Sequence, residues 1–286
     1  MTAWQVIDLT LPEMEGTVDA RRGHVRANGH SIAHLDDALA ILVEEDTRLE
    51  IHCCLYTAAA KAGVPVVYCD HFGRPLGMML PASRHTRVAA RHRAQVALSE
   101  PRRKRAWQEI VRAKVSNQAT VVPDPDASVR LRELAHRVRS GDTTNCEAQA
   151  ARIYWRAFGE SFRRNSDGED AVNGALNYGY TVLRGATAQA VMATGLWPTL
   201  GVQHSARGNA WCLVDDLIEP FRPAVDRAVL ELECFPSPEA RRRIVSVLED
   251  KFDDTTTRVA IQETAELFAL YVEGASDAFA GPRLHS

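Results

Sequence analysis

The chain has 286 residues, of which 45% are apolar and 25% charged, and 34 Lys plus Arg against 37 Asp plus Glu give a formal charge of −3. That composition can build a sizeable core, which excludes a disordered chain, and the sign of the charge excludes a globally basic nucleic-acid binder. The opening MTAWQVIDLT has neither the basic nor the apolar region of a secretory signal, and no apolar run approaches the ~20 residues of a membrane span. Cys53, Cys54, Cys69, Cys146, Cys212 and Cys234 form no CxxC pair, a pattern that fits reduced thiols and a cytoplasmic protein.

The first ~80 residues read as β-rich by their period and punctuation. Trp4 to Leu9, Leu49 to Leu55 and Val64 to Tyr68 are short apolar stretches, separated by turn signals at Glu15-Gly16, Asn28-Gly29 and Phe72-Gly73. Asn28-Gly29 suits a type I′ hairpin, since both residues tolerate positive φ. Leu35, Ala38, Leu39 and Leu42 recur at helical spacing and predict one helix in this region. Past Pro81 the pattern becomes helical to the end, with Asp124-Pro125-Asp126 expected as a loop between helices and Arg283 to Ser286 as a loose tail. The expected architecture is α+β: a β-rich domain over residues 1–82, then a larger helical domain over 83–286.

Arg84 to Lys114 carries ten Lys or Arg against two acids, a local excess of +8 that leaves −11 on the rest of the chain. Such asymmetry points to a polyanion site, or to a solvated helical face; His85 and His92 would add charge near pH ~6.

Two further stretches could carry chemistry. In Thr143-Thr144-Asn145-Cys146-Glu147, Glu147 lies on the face of a helix marked by Ala151, Tyr154, Trp155, Phe158 and Phe162. Thr144-x-x-Glu147 is a capping box, or Glu147 is a carboxylate projecting into a cleft where a cation offsets its desolvation. The second stretch is Gly201-Val-Gln-His204 with Asp215, Asp216 and Glu219. Asp216 and Glu219 share a helix face, and Pro220 and Pro223 should kink or end that helix beside them. Surface ion pairing is the other reading of these acids. Taken together, Glu147, His204, Asp216 and Glu219 are a donor set suited to Mg²⁺ or Mn²⁺. Cys53, Cys54, Trp155 and Trp197 read as core residues.

Glu147-Ala-Gln-Ala-Ala-Arg-Ile-Tyr154-Trp155, Asn173-Gly-Ala-Leu-Asn177-Tyr178-Gly179-Tyr180, Gly201-x-x-His204 and Leu217-Ile-Glu219-Pro220-Phe221-Arg222-Pro223 resemble, in order and spacing, the CRISPR-associated integrase family Cas1. Trp107-x-x-Ile110-Val111-x-x-Lys114-x-x-Asn117-Gln118 is similar to its type II branch. The resemblance implies a catalytic metal, Mg²⁺ or Mn²⁺, held by Glu147, His204 and Glu219, with Asp216 ligating or orienting. It implies a β-rich N-terminal unit that homodimerises, a helical catalytic unit, and a complex with the small protein Cas2. The implied reaction is insertion of short foreign DNA fragments (spacers) into a CRISPR array, the fragment's 3′-hydroxyl attacking a phosphodiester of the repeat. The basic run would contact DNA phosphates, with Arg84, Arg87 and Arg91 the leading candidates. Two other readings are a stand-alone metal nuclease acting on branched DNA in repair and a non-catalytic scaffold that binds DNA ends.

Overall fold

The structure is a computed structural model that describes residues 5–10, 14–82, 85–159, 161–165, 170–233 and 235–284. Among the described residues up to Met79 lie eight strands and one α-helix: β1 (Gln5–Asp8), β2 (Gly16–Arg21), β3 (His24–Ala27), β4 (His30–His34), β5 (Ala38–Glu44), β6 (Leu49–Ile51), α1 (Cys53–Ala62), β7 (Val66–Cys69) and β8 (Pro75–Met79). Asn28 and Gly29 take φ of 50° and 81°, and β3 pairs antiparallel with β4 around them, as a type I′ turn requires. One sheet has the order β4-β3-β2-β6, antiparallel apart from the parallel β2–β6 pair. The other has the order β1-β5-β7-β8, parallel apart from the antiparallel β7–β8 pair.

The segment from Leu35 to Leu42, predicted helical, is instead a single 3-10 turn followed by β5. Every residue from Ala38 to Val43 is buried. A strand covered on both faces loses its polar alternation, so its apolar positions satisfy helical spacing equally well. Ile41 and Val43 pack with Val18, Val25 and Leu55 between the two sheets, whereas Ala40 and Leu42 face the helices. Leu49 to Leu55 is likewise extended only as far as Ile51, because α1 begins at Cys53. Cys53 and Cys54 sit exposed on its first turn rather than in the core.

The helices follow: α2 (Val88–Val96), α3 (Glu100–Val121), α4 (Pro125–Arg137), α5 (Cys146–Tyr154), α6 (Ala171–Ala193), α7 (Cys212–Leu217), α8 (Arg222–Leu230), α9 (Pro238–Ser246) and α10 (Thr257–Val272). A two-residue ladder, β9 (Lys251–Phe252) with β10 (Thr255–Thr256), precedes α10. Strands stop and long helices start on either side of Pro81, yet one core runs across that point: Val6, Ala40, Leu42 and Val67 pack with residues of α3 and α6. Among the described residues no helix is long and apolar enough to cross a membrane.

Three other expectations change. Asp124-Pro125-Asp126 starts α4 rather than forming a loop: the Asp124 side chain accepts from Asp126 N at 3.0 Å, and Pro125 sits where no N–H is needed. Arg283 and Leu284 are docked, with Leu284 buried, its N–H on Asn117 Oδ1 at 2.9 Å, and Arg283 N on Asp253 Oδ2 at 2.9 Å. Trp197 is 45% exposed, its ring beside that of His92, while Trp155 packs against Tyr154, Phe158 and Phe162 as expected.

Gly179 lies mid-helix in α6, where a Cβ would stand 2.3 Å from Val225 Cγ1 of α8. Gly179→Ala should therefore lower stability by about 1–3 kcal/mol through overpacking, while Gly77→Ala, with open space around it, should shift it by no more than ~0.5 kcal/mol. Urea titration of both variants reads the difference; equal midpoints would mean that α6 and α8 are not held this closely.

Candidate metal centre

Helix α5 begins in an unusual way. Asn145 precedes it in the left-handed region (φ 51°) and provides no side-chain cap. Asp142 supplies both caps from outside, its carboxylate accepting from Cys146 N at 2.9 Å and Glu147 N at 3.0 Å. The capping box between Thr144 and Glu147 therefore does not form, and the Glu147 side chain is released. It turns to α3, where Lys114 Nζ donates to Glu147 Oε1 at 2.6 Å.

The same ammonium lies 2.6 Å from Glu219 Oε2. Helix α7 ends two residues before Glu219, because Pro220 offers no N–H to the Asp216 carbonyl. A 3-10 turn over Glu219–Phe221 then leads into α8. Asn117, one turn along α3 from Lys114, holds that break by donating to Pro220 O at 2.7 Å. Glu219 is buried, its Oε1 3.2 Å from an Arg222 guanidinium nitrogen. Its Oε2 accepts no aligned hydrogen bond, although the Lys114 charge is beside it. Burial pushes the Glu219 carboxyl upward, but Arg222 and Lys114 outweigh it and hold the group down at about 2, so it is ionised.

Asp216, read from the sequence as a ligand or an orienting group, is fully buried behind His204. It accepts from Val202 N (2.5 Å), Gln203 N (3.1 Å) and His204 N (3.1 Å), and from His204 Nδ1 at 2.7 Å. Gly201 makes this wrap possible, since a Cβ there would sit 2.7 Å from Asp216 Oδ2. With four N–H groups on its two oxygens, Asp216 is committed to the loop and the imidazole. The Nδ1 bond leaves His204 Nε2 as the open ring nitrogen, and it raises the His204 pKa against the opposing effect of burial.

Glu147 and Glu219 thus meet on one cation position, and His204 is near enough for its charge to act on Glu219. The three ligand atoms do not all close to within 4.8 Å of one another. Among the described residues only Glu45, Asp46 and His71 do so, an exposed group at the rim of the strands with no part in this site. The chemistry of the donors nevertheless fits a hard divalent cation: two carboxylates, one of them ionised and buried with an unbonded oxygen, and an imidazole locked in orientation by a carboxylate.

Of the basic run, Arg84 lies outside the described residues. Arg87 is exposed and pairs with Glu273 Oε1 at 2.8 Å. Arg91, read from the sequence as a phosphate contact, is instead buried, donating to Thr194 O and paired with Glu273, so that it ties α2 to the ends of α6 and α10. A different basic surface, not singled out in the sequence, abuts the Glu147–Lys114–Glu219 cluster through Arg222. Arg74, Arg164, Arg184 and Arg222 line a cavity of about 280 Å³ with Tyr180 and Ile218. Arg222 lies over the Tyr180 ring at 4.7 Å. The Tyr180 hydroxyl donates to Asp226 Oδ1 at 2.5 Å and the Tyr154 hydroxyl to Asp226 Oδ2 at 2.8 Å. Lys114 entered the sequence reading only as a member of the basic run and of the Trp107 motif. Trp107, two turns earlier on the same stripe of α3, has its ring centroid 6.1 Å from that of His204, so the Trp107-to-Lys114 spacing is the signal that could have placed Lys114 at the site.

A carboxylate pair on one cation, with Glu219 buried and Glu147 half-buried, thus lies beside an oriented imidazole and an arginine-lined cavity. A profile of the family "CRISPR associated protein Cas1" matches residues 40–234. Over 212 residues the chain is 42% identical to the CRISPR-associated endonuclease Cas1 of Neisseria meningitidis serogroup C (strain 8013), covering 73% of this chain and 69% of that one. Among solved structures it superposes on a chain of a Cas6-RT-Cas1–Cas2 complex (TM-score 0.79, 16% identity, all of this chain but 37% of the longer one). It also superposes on a casposase bound to integration product (TM-score 0.72, 17% identity, 98% and 93% coverage), and both likenesses are of fold. The chain belongs to the Cas1 family of CRISPR-associated endonucleases. Its α+β fold, strands first and helices after, is that of the family's structures.

Burial raises the Asp226 pKa to about 6 against the pull of its two tyrosine donors. The folded state then binds this proton more tightly than the unfolded chain, whose aspartate titrates near 3.8. Stability from this group is complete below pH ~4 and is lost as pH rises through ~6, by about 3 kcal/mol. Urea denaturation between pH 4 and 7 should show this fall in the wild type and a flatter profile in Asp226→Asn. Parallel profiles would show that Asp226 does not titrate in this range.

Proposed function

We propose that this chain is a spacer-inserting DNA integrase of the CRISPR array, with Glu147, His204 and Glu219 holding a catalytic Mg²⁺ or Mn²⁺ ion. The observation that carries the reading is the convergence of Glu147 and Glu219 on one cation position beside an imidazole whose Nε2 is open. Bound there, a divalent cation stabilises charge on a phosphoryl oxygen and makes an attacking hydroxyl more acidic. Asp216 holds the His204 ring and tautomer rather than touching the ion, because its oxygens are already occupied. In strand transfer the 3′-oxygen of the incoming fragment forms a bond to phosphorus. The attacking hydroxyl gives up its proton to solvent, the bond from phosphorus to the 3′-oxygen on the other side of the attacked phosphodiester breaks, and that oxygen takes up a proton. DNA supplies the nucleophile, so no Ser, Tyr or Cys of the protein is required.

The guanidinium groups of Arg74, Arg164, Arg184 and Arg222 are suited to the phosphates flanking the reacting one, as bidentate or charge-assisted donors. Exposed Arg87, Arg93, Arg103 and Arg105 along α2 and α3 add sequence-independent attraction. The complexes in which related chains are found support Cas2 and DNA as partners: one neighbour's name includes Cas2, and another is described as a Cas1–DNA complex. Residues 1–82 are read as the homodimerisation unit, consistent with their own core between two sheets.

On a branched DNA that mimics a half-integrated product, wild-type protein with Mn²⁺ should release and religate strands. His204→Ala should lose this while keeping its fold and DNA affinity, and Asp216→Asn should retain ~1–10% of the rate, as an orienting partner does. Full turnover in His204→Ala would overturn the site, and cleavage without religation would favour the repair nuclease. Absence of turnover in every metal, with Cas2 present, would favour the scaffold. Arg74→Gln with Arg164→Gln should lower the slope of log affinity against log salt by about two. An unchanged slope would move the phosphates elsewhere.

A further inference from the structure

Lys114 is unusual among the cations of this molecule. Its Nζ stands 2.6 Å from Glu147 Oε1 and 2.6 Å from Glu219 Oε2, and its side chain keeps 16% of its exposure. Arg222, the other cation on Glu219, is a planar fork stacked on Tyr180 and sits at the longer distance of 3.2 Å. A lysine is a point charge on a four-carbon stem that swings by rotamer changes, whereas a stacked guanidinium does not. Glu147, on the outer side of the pair, is 32% exposed, so the ammonium lies at the edge of solvent rather than behind the site.

We propose that Lys114 is the resident counter-ion of the metal centre: its ammonium holds Glu147 and Glu219 together, and a divalent cation enters by displacing it toward solvent. The proposal rests on the reading of Glu147, His204 and Glu219 as the metal site. Two carboxylates brought this close require a positive charge between them, or one of them takes a proton or swings away. The lysine supplies that charge from within the chain, so the carboxylates stay in place. An ammonium contacts carboxylates at 2.6 Å here, while a hard cation draws oxygens to ~2.1 Å, so exchange contracts the site. A doubly charged ion gains more from the same two carboxylates than the ammonium does, which gives the exchange its direction.

The chain has four lysines, Lys61, Lys104, Lys114 and Lys251, and the other three are exposed. Amine-reactive labelling of the full-length protein, resolved by mass spectrometry, therefore reports Lys114 against three internal references. Without metal, Lys114 should be labelled several-fold more slowly than the others. With saturating Mn²⁺ its labelling should rise severalfold while theirs holds constant, and in His204→Ala the rise should demand more Mn²⁺. Electron paramagnetic resonance of the same samples counts bound Mn²⁺. Stoichiometric Mn²⁺ with Lys114 still protected would overturn the exchange and leave the lysine as a group that stays beside the ion. Absence of bound Mn²⁺ would instead overturn the metal reading, and this proposal with it. Lys114→Met removes the competing charge and should tighten Mn²⁺ binding by about tenfold or more. Unchanged or weaker Mn²⁺ binding by folded Lys114→Met would also count against the proposal.

Discussion

Burying two carboxylates against each other is unfavourable unless a cation stands between them, and much of the helical scaffold serves that one constraint. Lys114 comes from the middle of α3, Glu147 from the first turn of α5, and Glu219 from the break between α7 and α8. None of the three is near another in sequence. What brings them together is a set of local exceptions to helix rules. Asp142 caps α5 so that Glu147 need not, and Pro220 ends α7 just before the turn that carries Glu219. Asn117 then fastens Pro220 to α3 and accepts the N–H of Leu284, so the end of the chain is strapped across the same helix.

Behind these residues lies a layer that sets orientation. Asp216 spends all its acceptors on the loop from Val202 to His204, which fixes the His204 ring. On the other side, Arg222 joins Glu219 to Tyr180, and Tyr180 and Tyr154 share the buried Asp226. Buried ion pairs of this kind are weak sources of stability, because desolvation cancels most of the Coulomb gain. Their use here is positional: removal of one partner leaves a charge with nowhere to go, so each holds the others in place. A helix-rich framework with close glycine contacts, such as Gly179 against Val225, gives that network a rigid mount.

The parallel half of the strand region is joined to this framework rather than appended to it. β5 is covered by the second sheet on one face and by the helical core on the other. That double burial is why its sequence resembled a helix. Similar reasoning applies to Arg91, whose place in a run of arginines suggested a phosphate contact. A carboxylate 182 residues away, on Glu273, and the carbonyl of Thr194 draw it inside. Cys53, Cys54 and Trp197 err in the opposite sense: apolar by type, they lie exposed where a helix starts or a loop turns outward.

The sequence by itself determined the strand-to-helix order, the type I′ hairpin at Asn28-Gly29 and the break at Pro220. These are legible because turn chemistry, proline geometry and residue type act over a few positions. Only the tertiary structure decided that Lys114 stands between the carboxylates, that Asp216 is consumed by backbone N–H groups, and that arginines from four separate segments line one cavity. Which partner a charged side chain takes depends on which elements pack beside it. Attraction between charges far apart in the chain leaves no periodic trace in the sequence.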